Sequence, residues 1–296
     1  MRPWFRALPL VLTLGPLAPA QAAPVLPARV EERQLVWPAA GPYRLRLENV
    51  RGRVAVTRWP KTAAFLAATL RAARPLEPAE QALLAEARVE IEAPRSGDAR
   101  ARVVFPSLAG RHPAVIATAA AGLRVDWRLV LPPETALEVR QEAGSIVARG
   151  HDGRLDLFTR DGDVDVTDAS GWVEAGNERG AITLRRLAGD ALLRTHRGVL
   201  TLREIEGDVR AISGSGPVRL VVTPRWVGEV AYHTVSGVIR SDLATRLTDL
   251  QPGDTGYVGV LLGPLAHPGA GAPWRVRVDT TAGDLTVASE RASAGI

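Results

Sequence analysis

Residues 153–170, GRLDLFTRDGDVDVTDAS, hold the unit that is repeated through the middle of this chain. Two and four residues after Gly153 stand Leu155 and Leu157, and the residues two and four after Gly162 are also aliphatic. Between each aliphatic pair lies a polar or charged residue in seven of nine repeats. This alternation has the period of a β-strand, whose successive side chains point to opposite faces. The glycines recur every nine residues, at Gly144, Gly153, Gly162, Gly171, Gly180, Gly189, Gly198, Gly207 and Gly216.

A second, longer period is superimposed on the nine-residue repeat. Seven residues after Gly162, Gly180 and Gly198 the chain has Ala169, Leu187 and Ile205, whereas the intervening repeats have Arg160, Glu178 and His196 there. Apolar and polar corners therefore alternate, and the complete unit is eighteen residues long. This pattern predicts an all-β fold, a two-sided parallel β-solenoid with coils of eighteen residues and half-coils of nine.

The repeated glycines, together with Gly237, are predicted to be structural turn residues. Glycine adopts positive φ without steric cost, and it lets the backbone of a neighbouring coil approach closely.

The remaining chain suggests one domain, residues 23–296, behind a signal peptide at residues 1–22. Arg2 and Arg6, an apolar run and a small-x-small site before residue 23 are typical of a cleaved secretory leader. Residues 23–143 are predicted to hold N-terminal strands, a first coil at residues 43–56 and a capping insert with a short helix at Pro78–Glu86. Residues 144–296 are predicted to hold the regular solenoid and a C-terminal cap. Residues 256–260 are read as a further half-coil, and residues 274–278 and 283–287 as capping strands.

Composition narrows the function classes. The chain has no cysteine, which excludes disulfides and thiolate metal sites. Its net charge of +5 comes without a clustered basic and aromatic block, so nucleic-acid binding is not expected. After removal of the leader, no apolar run has membrane-spanning length. We therefore expect an extracytoplasmic protein that is periplasmic, attached to the cell surface or secreted.

Several corners and both ends of the repeat resemble a known family. The corners TRDGDV (residues 159–164), THRGVL (195–200) and TVSGVI (234–239) share a threonine three residues before a glycine and an alternating strand. Together with LENVRGRVAVTRW (47–59) and VDTTAGDL (278–285), they are similar to the bacterial putative adhesins, exported β-solenoids related to autotransporter adhesin heads. The resemblance covers residues 35–289, apart from an inserted alanine-rich stretch and the loop at 263–273. It implies a solenoid fold and an extracytoplasmic setting, and it supplies no catalytic residues.

Candidate sites for chemistry are few. The five histidines are far apart in sequence and lack the spacing that zinc requires, so no metal or cofactor is expected. Asp161 and Asp163 are an alternative calcium site, although the repeated Gly-Gly-x-Gly-x-Asp turns of calcium-binding rolls are missing. Outward positions on one predicted sheet form a mixed column: Asp156, Glu174, Leu192 and Arg210.

The opposite sheet carries Arg185 and Arg203, with Arg186 nearby, as a candidate basic binding strip. The alternative is a solvated face balanced by Glu204 and Asp165. We therefore expect a non-enzymatic, adhesin-like module that binds an envelope component or a protein. The alternatives are a carbohydrate-active enzyme on a β-helix scaffold, which needs convergent acids in a cleft, and an accessory protein of an envelope-stress system.

Overall fold

The computed structural model describes residues 28–36, 43–60, 63–92, 97–223, 226, 228–241, 246–253, 256–262 and 274–289. The predicted signal peptide and the loop at 263–273 lie outside these residues. In the described part, no helix is both long and apolar enough to cross a membrane.

The strands form two facing sheets, and two short helices belong to the N-terminal half. The helices are α1 (Pro78–Glu86) and α2 (Pro113–Ala119). The strands are β1 (Ala28–Val36), β2 (Arg44–Arg51), β3 (Val54–Arg58), β4 (Ala63–Ala72), β5 (Arg88–Glu92), β6 (Asp98–Val104), β7 (Leu123–Leu131), β8 (Ala136–Ala143), β9 (Ile146–Arg149), β10 (Leu155–Asp161), β11 (Val164–Ser170), β12 (Val173–Arg179), β13 (Ile182–Ala188), β14 (Ala191–Arg197), β15 (Leu200–Glu206), β16 (Val209–Ser213), β17 (Val218–Val222), β18 (Gly228–Thr234), β19 (Ile239–Ser241), β20 (Arg246–Gly253), β21 (Gly256–Leu262), β22 (Trp274–Thr280) and β23 (Leu285–Ser289).

Successive coils stack in register, eighteen residues apart. In the twelve-stranded sheet, here called sheet B, Leu155 of β10 pairs with Val173 of β12, which pairs with Ala191 of β14. In the eleven-stranded sheet, sheet A, Val164 of β11 pairs with Ile182 of β13 in the same way. All these pairings are parallel, so the predicted all-β, two-sided solenoid is confirmed.

The interior between the sheets is aliphatic, because the residues two and four after each repeat glycine point inward. Leu155, Leu157, Ile182 and Leu184 are each at most 1% exposed. Each coil can bury these side chains only against the facing strand and the coils on either side. The prediction of a stacked apolar seam follows directly from the nine-residue period.

The first and last coils of the chain do not lie at the ends of the stack. β2 and β3 lie between β6 and β7 on one side and β8 and β9 on the other. At the opposite end, β22 and β23 lie between the coil of β16 and β17 and the coil of β18 and β19. The prediction that residues 274–278 and 283–287 cap the solenoid was wrong, because their inward Val276, Val278, Leu285 and Val287 are buried between neighbours on both sides.

In the described residues, antiparallel strands flank both sheets at one end of the stack and sheet B at the other, where β19 is the edge strand of sheet A. At one end β4 pairs with β7, β1 with β4, and β5 with β6. At the other end β21 pairs with β18 and β20 with β21. The prediction that residues 256–260 form a half-coil was wrong, because they belong to β21, which pairs antiparallel with both β18 and β20. The predicted helix at Pro78–Glu86 is present as α1, and Leu83 packs into the core.

The turn glycines lie directly over one another along the edges of the stack. A Cβ on Gly162 would stand 2.0 Å from the carbonyl oxygen of Gly144, and φ of Gly162 is +154°. Gly216 lacks a left-handed φ, but a Cβ there would stand 1.5 Å from the oxygen of Gly198. Close backbone approach is therefore the requirement that these positions share.

A column of buried polar side chains accounts for the threonine that precedes these corners. Thr159 Oγ1 donates a hydrogen bond to Gly144 O at 3.1 Å, and Asn177 Nδ2 donates to Gly162 O at 3.0 Å. These side chains satisfy backbone carbonyls that would otherwise be buried without a partner. The column, each member three residues before a corner glycine and at most 6% exposed, consists of Asn49, Gln141, Thr159, Asn177, Thr195, Ser213, Thr280 and Thr234.

Candidate functional site

Because the aliphatic seam fills the interior, the candidate sites are the outward faces of the two sheets. On sheet B, three carboxylates from β8, β10 and β12 stand in one column across adjacent strands. This acidic column consists of Glu138, Asp156 and Glu174. Neighbouring members are separated by one strand spacing, about 4.8 Å.

Arginines surround the acidic column. Glu138 accepts hydrogen bonds from Arg46 Nε at 3.0 Å and from Arg140 Nε at 3.3 Å. Arg140 also lies 3.1 Å from Asp156. Glu174 pairs with Arg194 at 3.0 Å and with Arg154 at 3.6 Å. The three carboxylates of the acidic column are thus held in a network of ion pairs.

The environment separates the pKa values of the carboxyls in this column. Burial of Glu138 opposes its ionised form, but the hydrogen bonds from Arg46 and Arg140 outweigh this effect and hold its pKa below the usual value. Burial raises the pKa of Asp156, and the neighbouring Glu174 and Glu138 add to that effect against the attraction of Arg140. Asp156 therefore retains a proton at higher pH than an ordinary aspartate.

Two aromatic side chains border the acidic column. Phe158 lies against Gly176, where a Cβ would stand 3.3 Å from the Phe158 ring, and the Arg140 guanidinium is 5.8 Å from the ring centroid. Trp172 is 37% exposed, with the Arg154 guanidinium 5.9 Å from its ring. A shallow hollow of about 210 Å³ next to them is lined by Arg44, Ala136, Leu137, Glu138, Arg154 and Asp156.

On sheet A, the outward face carries arginines in a column along the stack. Arg185 of β13 pairs in register with Arg203 of β15, as expected for the predicted strip. Arg149 of β9 lies in the same column, one strand beyond Thr167 of β11. Arg219 of β17 is diagonally adjacent to Arg203. Arg149, Arg185, Arg203 and Arg219, all exposed, are called the arginine strip.

Arg186 does not belong to the strip, although it is adjacent in sequence. It occupies the apolar corner with φ of +51° and pairs with Asp168 of the preceding coil, with 2.8 Å between Nη2 and Oδ2. This bulge at the corner turns the side chain away from the sheet face.

The other candidates from the sequence are engaged in protein contacts. The Asp161 carboxylate pairs with Arg179 and lies 3.4 Å from Arg160, and these contacts lower its pKa. Asp163 accepts a hydrogen bond from Ala181 N at 2.7 Å. In the part of the chain that the structure describes, no three His, Asp or Glu side chains are grouped as a metal site would require.

His151 occupies a buried corner, on the opposite edge from the exposed His196. Its Nε2 lies 2.8 Å from the carbonyl oxygen of Thr135, and its Nδ1 has no partner in the described part of the chain. Burial lowers its pKa, and the nearby Asp152, which is paired with Arg58, partly opposes this effect. His151 is therefore a neutral part of the core at neutral pH.

Sequence reasoning missed Glu138 and Arg149 as members of these surfaces, whereas the nine-residue count already places Arg219 in the outward column of Thr183 and Thr201. Glu138 lies eighteen residues before Asp156, and Arg149 lies thirty-six before Arg185. Carrying the eighteen-residue step back once from Asp156 and twice from Arg185 finds both of them.

Comparison with solved structures returns bacterial proteins of the adhesin class. A putative cell adhesion protein from Clostridium sporogenes is 9% identical with a TM-score of 0.36, over 89% of this chain and 100% of that chain. A putative adhesin from Bacteroides fragilis is 7% identical with a TM-score of 0.31, over 88% and 97%. A putative adhesin from Parabacteroides merdae is 8% identical with a TM-score of 0.29, over 89% and 97%.

No family model and no curated protein matches the sequence. Identities of 7–9% and TM-scores of 0.29–0.36 carry no argument about function, so only the chain's own surfaces bear on it.

Proposed function

We propose that this chain is a non-enzymatic, exported binding module of the adhesin type, which holds a component of the cell envelope or a protein against a flat sheet face. The arginine strip is the observation that carries the proposal. It places exposed positive charge in a straight row on a rigid surface, where it is available to a partner.

The architecture supports surface binding. Nine stacked coils extend about 40 Å along the axis at one strand spacing each. Their outward side chains repeat in register, so each face offers many similar contacts and no single dominant anchor. Binding spread over such a face is the sum of small contributions, and loss of one contact is expected to weaken it only slightly.

A second candidate function, glycoside hydrolysis, is favoured by one observation. The pKa of Asp156 is raised and that of the neighbouring Glu138 is lowered, and two carboxyls whose pKa values are shifted in opposite directions suit general acid–base catalysis. The arginines that pair with these carboxyls stand against this reading, because they neutralise the groups that would have to react.

The test uses the purified chain immobilised against polysaccharide and protein fractions of bacterial envelopes. We expect retention of a component that is lost when Arg149 and Arg185 are replaced by Gln and kept when Arg194 and Arg210 are replaced. Retention of nothing would contradict the proposal. Turnover of a polysaccharide that disappears in Asp156→Asn would replace it with the second candidate.

A further inference from the structure

The arginine strip differs from the rest of the surface in how its charge is balanced. Arg149, Arg185 and Arg219 have no ion-pair partner in the part of the chain that the structure describes, whereas Arg203 lies 3.2 Å from Glu204. Along the described outward columns from β3 to β23 the carboxylates are Asp165, which accepts a hydrogen bond from Thr167 at 3.1 Å, and Glu206, which is exposed at the end of β15. The acids of the acidic column on sheet B, in contrast, are each paired with at least one arginine. Sheet A therefore carries a row of arginines whose positive charge is not neutralised by an ion pair.

The arginines of the strip are one or two strand spacings apart along the solenoid axis. Arg185 and Arg203 are one strand apart, about 4.8 Å, and Arg149 is two strands, about 9.6 Å, from Arg185. Arg219 lies on the next strand and is offset by two residues, a diagonal of about 7–8 Å. The positive charges thus follow a line parallel to the axis, which is one or two side chains wide.

Hydroxyl groups accompany the arginines on the same face. Thr183 and Thr201 form the neighbouring outward column, and Thr167 separates Arg149 from Arg185. Guanidinium groups bind carboxylates and sulfates through paired hydrogen bonds, and threonine hydroxyls both donate and accept. A partner with anions and hydroxyls repeating along one direction matches both sets of groups.

We propose that the arginine strip binds a linear anionic polysaccharide, carrying carboxylate or sulfate groups, that lies along the solenoid axis. This inference rests on the proposed binding function and names its ligand class. One sugar unit of an extended chain is comparable in length to a strand spacing, so anions that repeat along the chain come level with arginines one or two coils apart. The row of coils sets the direction of the glycan, and the flat face accommodates it without a pocket.

Two other polyanions fit the face less well. Membrane-surface binding uses large apolar side chains that enter the interface, and single-stranded nucleic acid uses aromatic platforms. The described outward columns of sheet A from β3 to β19 carry neither; their apolar members, such as Val147 and Val221, are half-buried aliphatics. Phe158 and Trp172 are on the sheet B side.

The experiment measures affinity of the purified chain for heparin and polygalacturonate by isothermal titration calorimetry, with dextran as the neutral polymer. The test variant is Arg149→Gln/Arg185→Gln/Arg219→Gln. The matched control, Arg194→Gln/Arg210→Gln/Arg277→Gln, removes the same charge from exposed arginines of sheet B that are paired with Glu174 and Asp279. Circular dichroism melting checks that both variants fold.

We expect affinity for at least one of the anionic polysaccharides to fall about tenfold or more in the sheet A variant, because three exposed charge contacts are lost. The control should change affinity less than about threefold, within the effect of net charge alone. No binding to dextran is expected, and added salt should weaken binding to the anionic chain.

Equal loss in both variants would overturn the inference, because it would show a general charge effect. Tighter binding of duplex DNA or of phosphatidylglycerol vesicles than of either polysaccharide, lost in the same variant, would assign the strip to that polyanion instead. If no polysaccharide binds but an envelope component of another chemistry is still retained through the arginine strip, this inference fails and the proposed function stands. Polysaccharide turnover would overturn the proposed function itself.

Discussion

Stacking of the turn glycines can be tested by adding a single methyl group. In Gly180→Ala the new Cβ would lie 2.3 Å from Gly162 O and 2.6 Å from Gly162 C, both backbone atoms of the preceding coil. The φ of Gly180 is +119°, which L residues rarely adopt. The substitution therefore combines backbone strain with displacement of a neighbouring coil.

The expected magnitude follows from these two terms. Strain at such a φ costs about 1–3 kcal/mol, and overpacking against a backbone that cannot rotate away costs about 1–3 kcal/mol more. We expect Gly180→Ala to lower the free energy of unfolding by about 3–5 kcal/mol, a large share of the total stability of a typical domain.

Gly150→Ala is the matched control. Gly150 has φ of +63°, yet nothing lies within 4 Å of a Cβ built there. At the equivalent corner positions of later coils, Asp168, Arg186 and Glu204 adopt φ of +57°, +51° and +54°. Only the left-handed backbone penalty applies, so we expect a loss of about 1 kcal/mol.

The assay is urea unfolding of the wild type and both variants, followed by tryptophan fluorescence and far-UV circular dichroism. The two free energies should differ by at least about 2 kcal/mol, since only one variant has a neighbouring coil in the way. Equal losses in both variants would refute the argument, because they would leave close coil approach without an energetic role.

Three further predictions concern the interior and its edges. First, the pKa of His151 is lowered by burial, so the imidazole takes up a proton at a higher pH in the unfolded chain than in the folded chain. The free energy of unfolding should therefore fall as pH drops below about 6.5, by at most about 1.4 kcal/mol per pH unit. His151→Leu, which matches the aliphatic residues at that corner, should lack this pH-dependent loss of stability. Identical pH profiles for the wild type and the variant would contradict the reasoning. Second, Thr159→Val should lower the free energy of unfolding by about 1–2 kcal/mol, because Gly144 O and Gln141 lose a hydrogen-bond partner. Thr195→Val should be neutral or stabilising, since Thr195 Oγ1 has no hydrogen-bond partner in the described structure. Chemical denaturation that ranks the two variants the other way would disprove the role of the polar column. Third, Leu184→Asp should lower the free energy of unfolding by about 3–5 kcal/mol or prevent folding, because it buries an unpaired charge. The neighbouring outward Thr183→Asp should cost under about 1 kcal/mol. Similar melting temperatures for the two variants would mean that water reaches the aliphatic interior.

The regular part of the fold could be predicted because the sequence repeats its own geometry. Glycine spacing fixes where the chain turns, and the alternation after Gly153 and Gly162 fixes which side chains face inward. Two half-coils of nine residues then require the pairing of Leu155 with Val173 that the structure has.

The order of the coils at the two ends could not be predicted in this way. Leu45 and Leu47 of β2 and Val276 and Val278 of β22 present the same inward aliphatic pair as any regular coil. Such a pair specifies that a coil needs neighbours on both sides, but not which segments supply them. Only the long-range pairings of β6 and β18 decide that these coils are internal.

The candidate surfaces were partly predictable for the same reason. Arg185 and Arg203 are eighteen residues apart, and that spacing alone places them side by side. Whether an arginine is neutralised depends on contacts across strands, such as Arg140 reaching both Glu138 and Asp156, and those require the positions of the side chains. The sequence therefore locates the columns of charge, while the structure separates the paired face from the unpaired one.

The placement of the first and last coils one step inside the stack has a consequence for how the molecule can change in size. The end coils of the stack are formed by internal segments of the chain, β6 with β7 at one end and β18 with β19 at the other, so extra repeats joined to the first or the last coil of the chain have no free neighbouring position in the stack. Duplication of an eighteen-residue unit among the central repeats meets no such obstacle, and it would lengthen the rod by about 4.8 Å for each copy. The length of the solenoid can thus change in evolution by internal duplication, while the segments at its two ends stay unchanged.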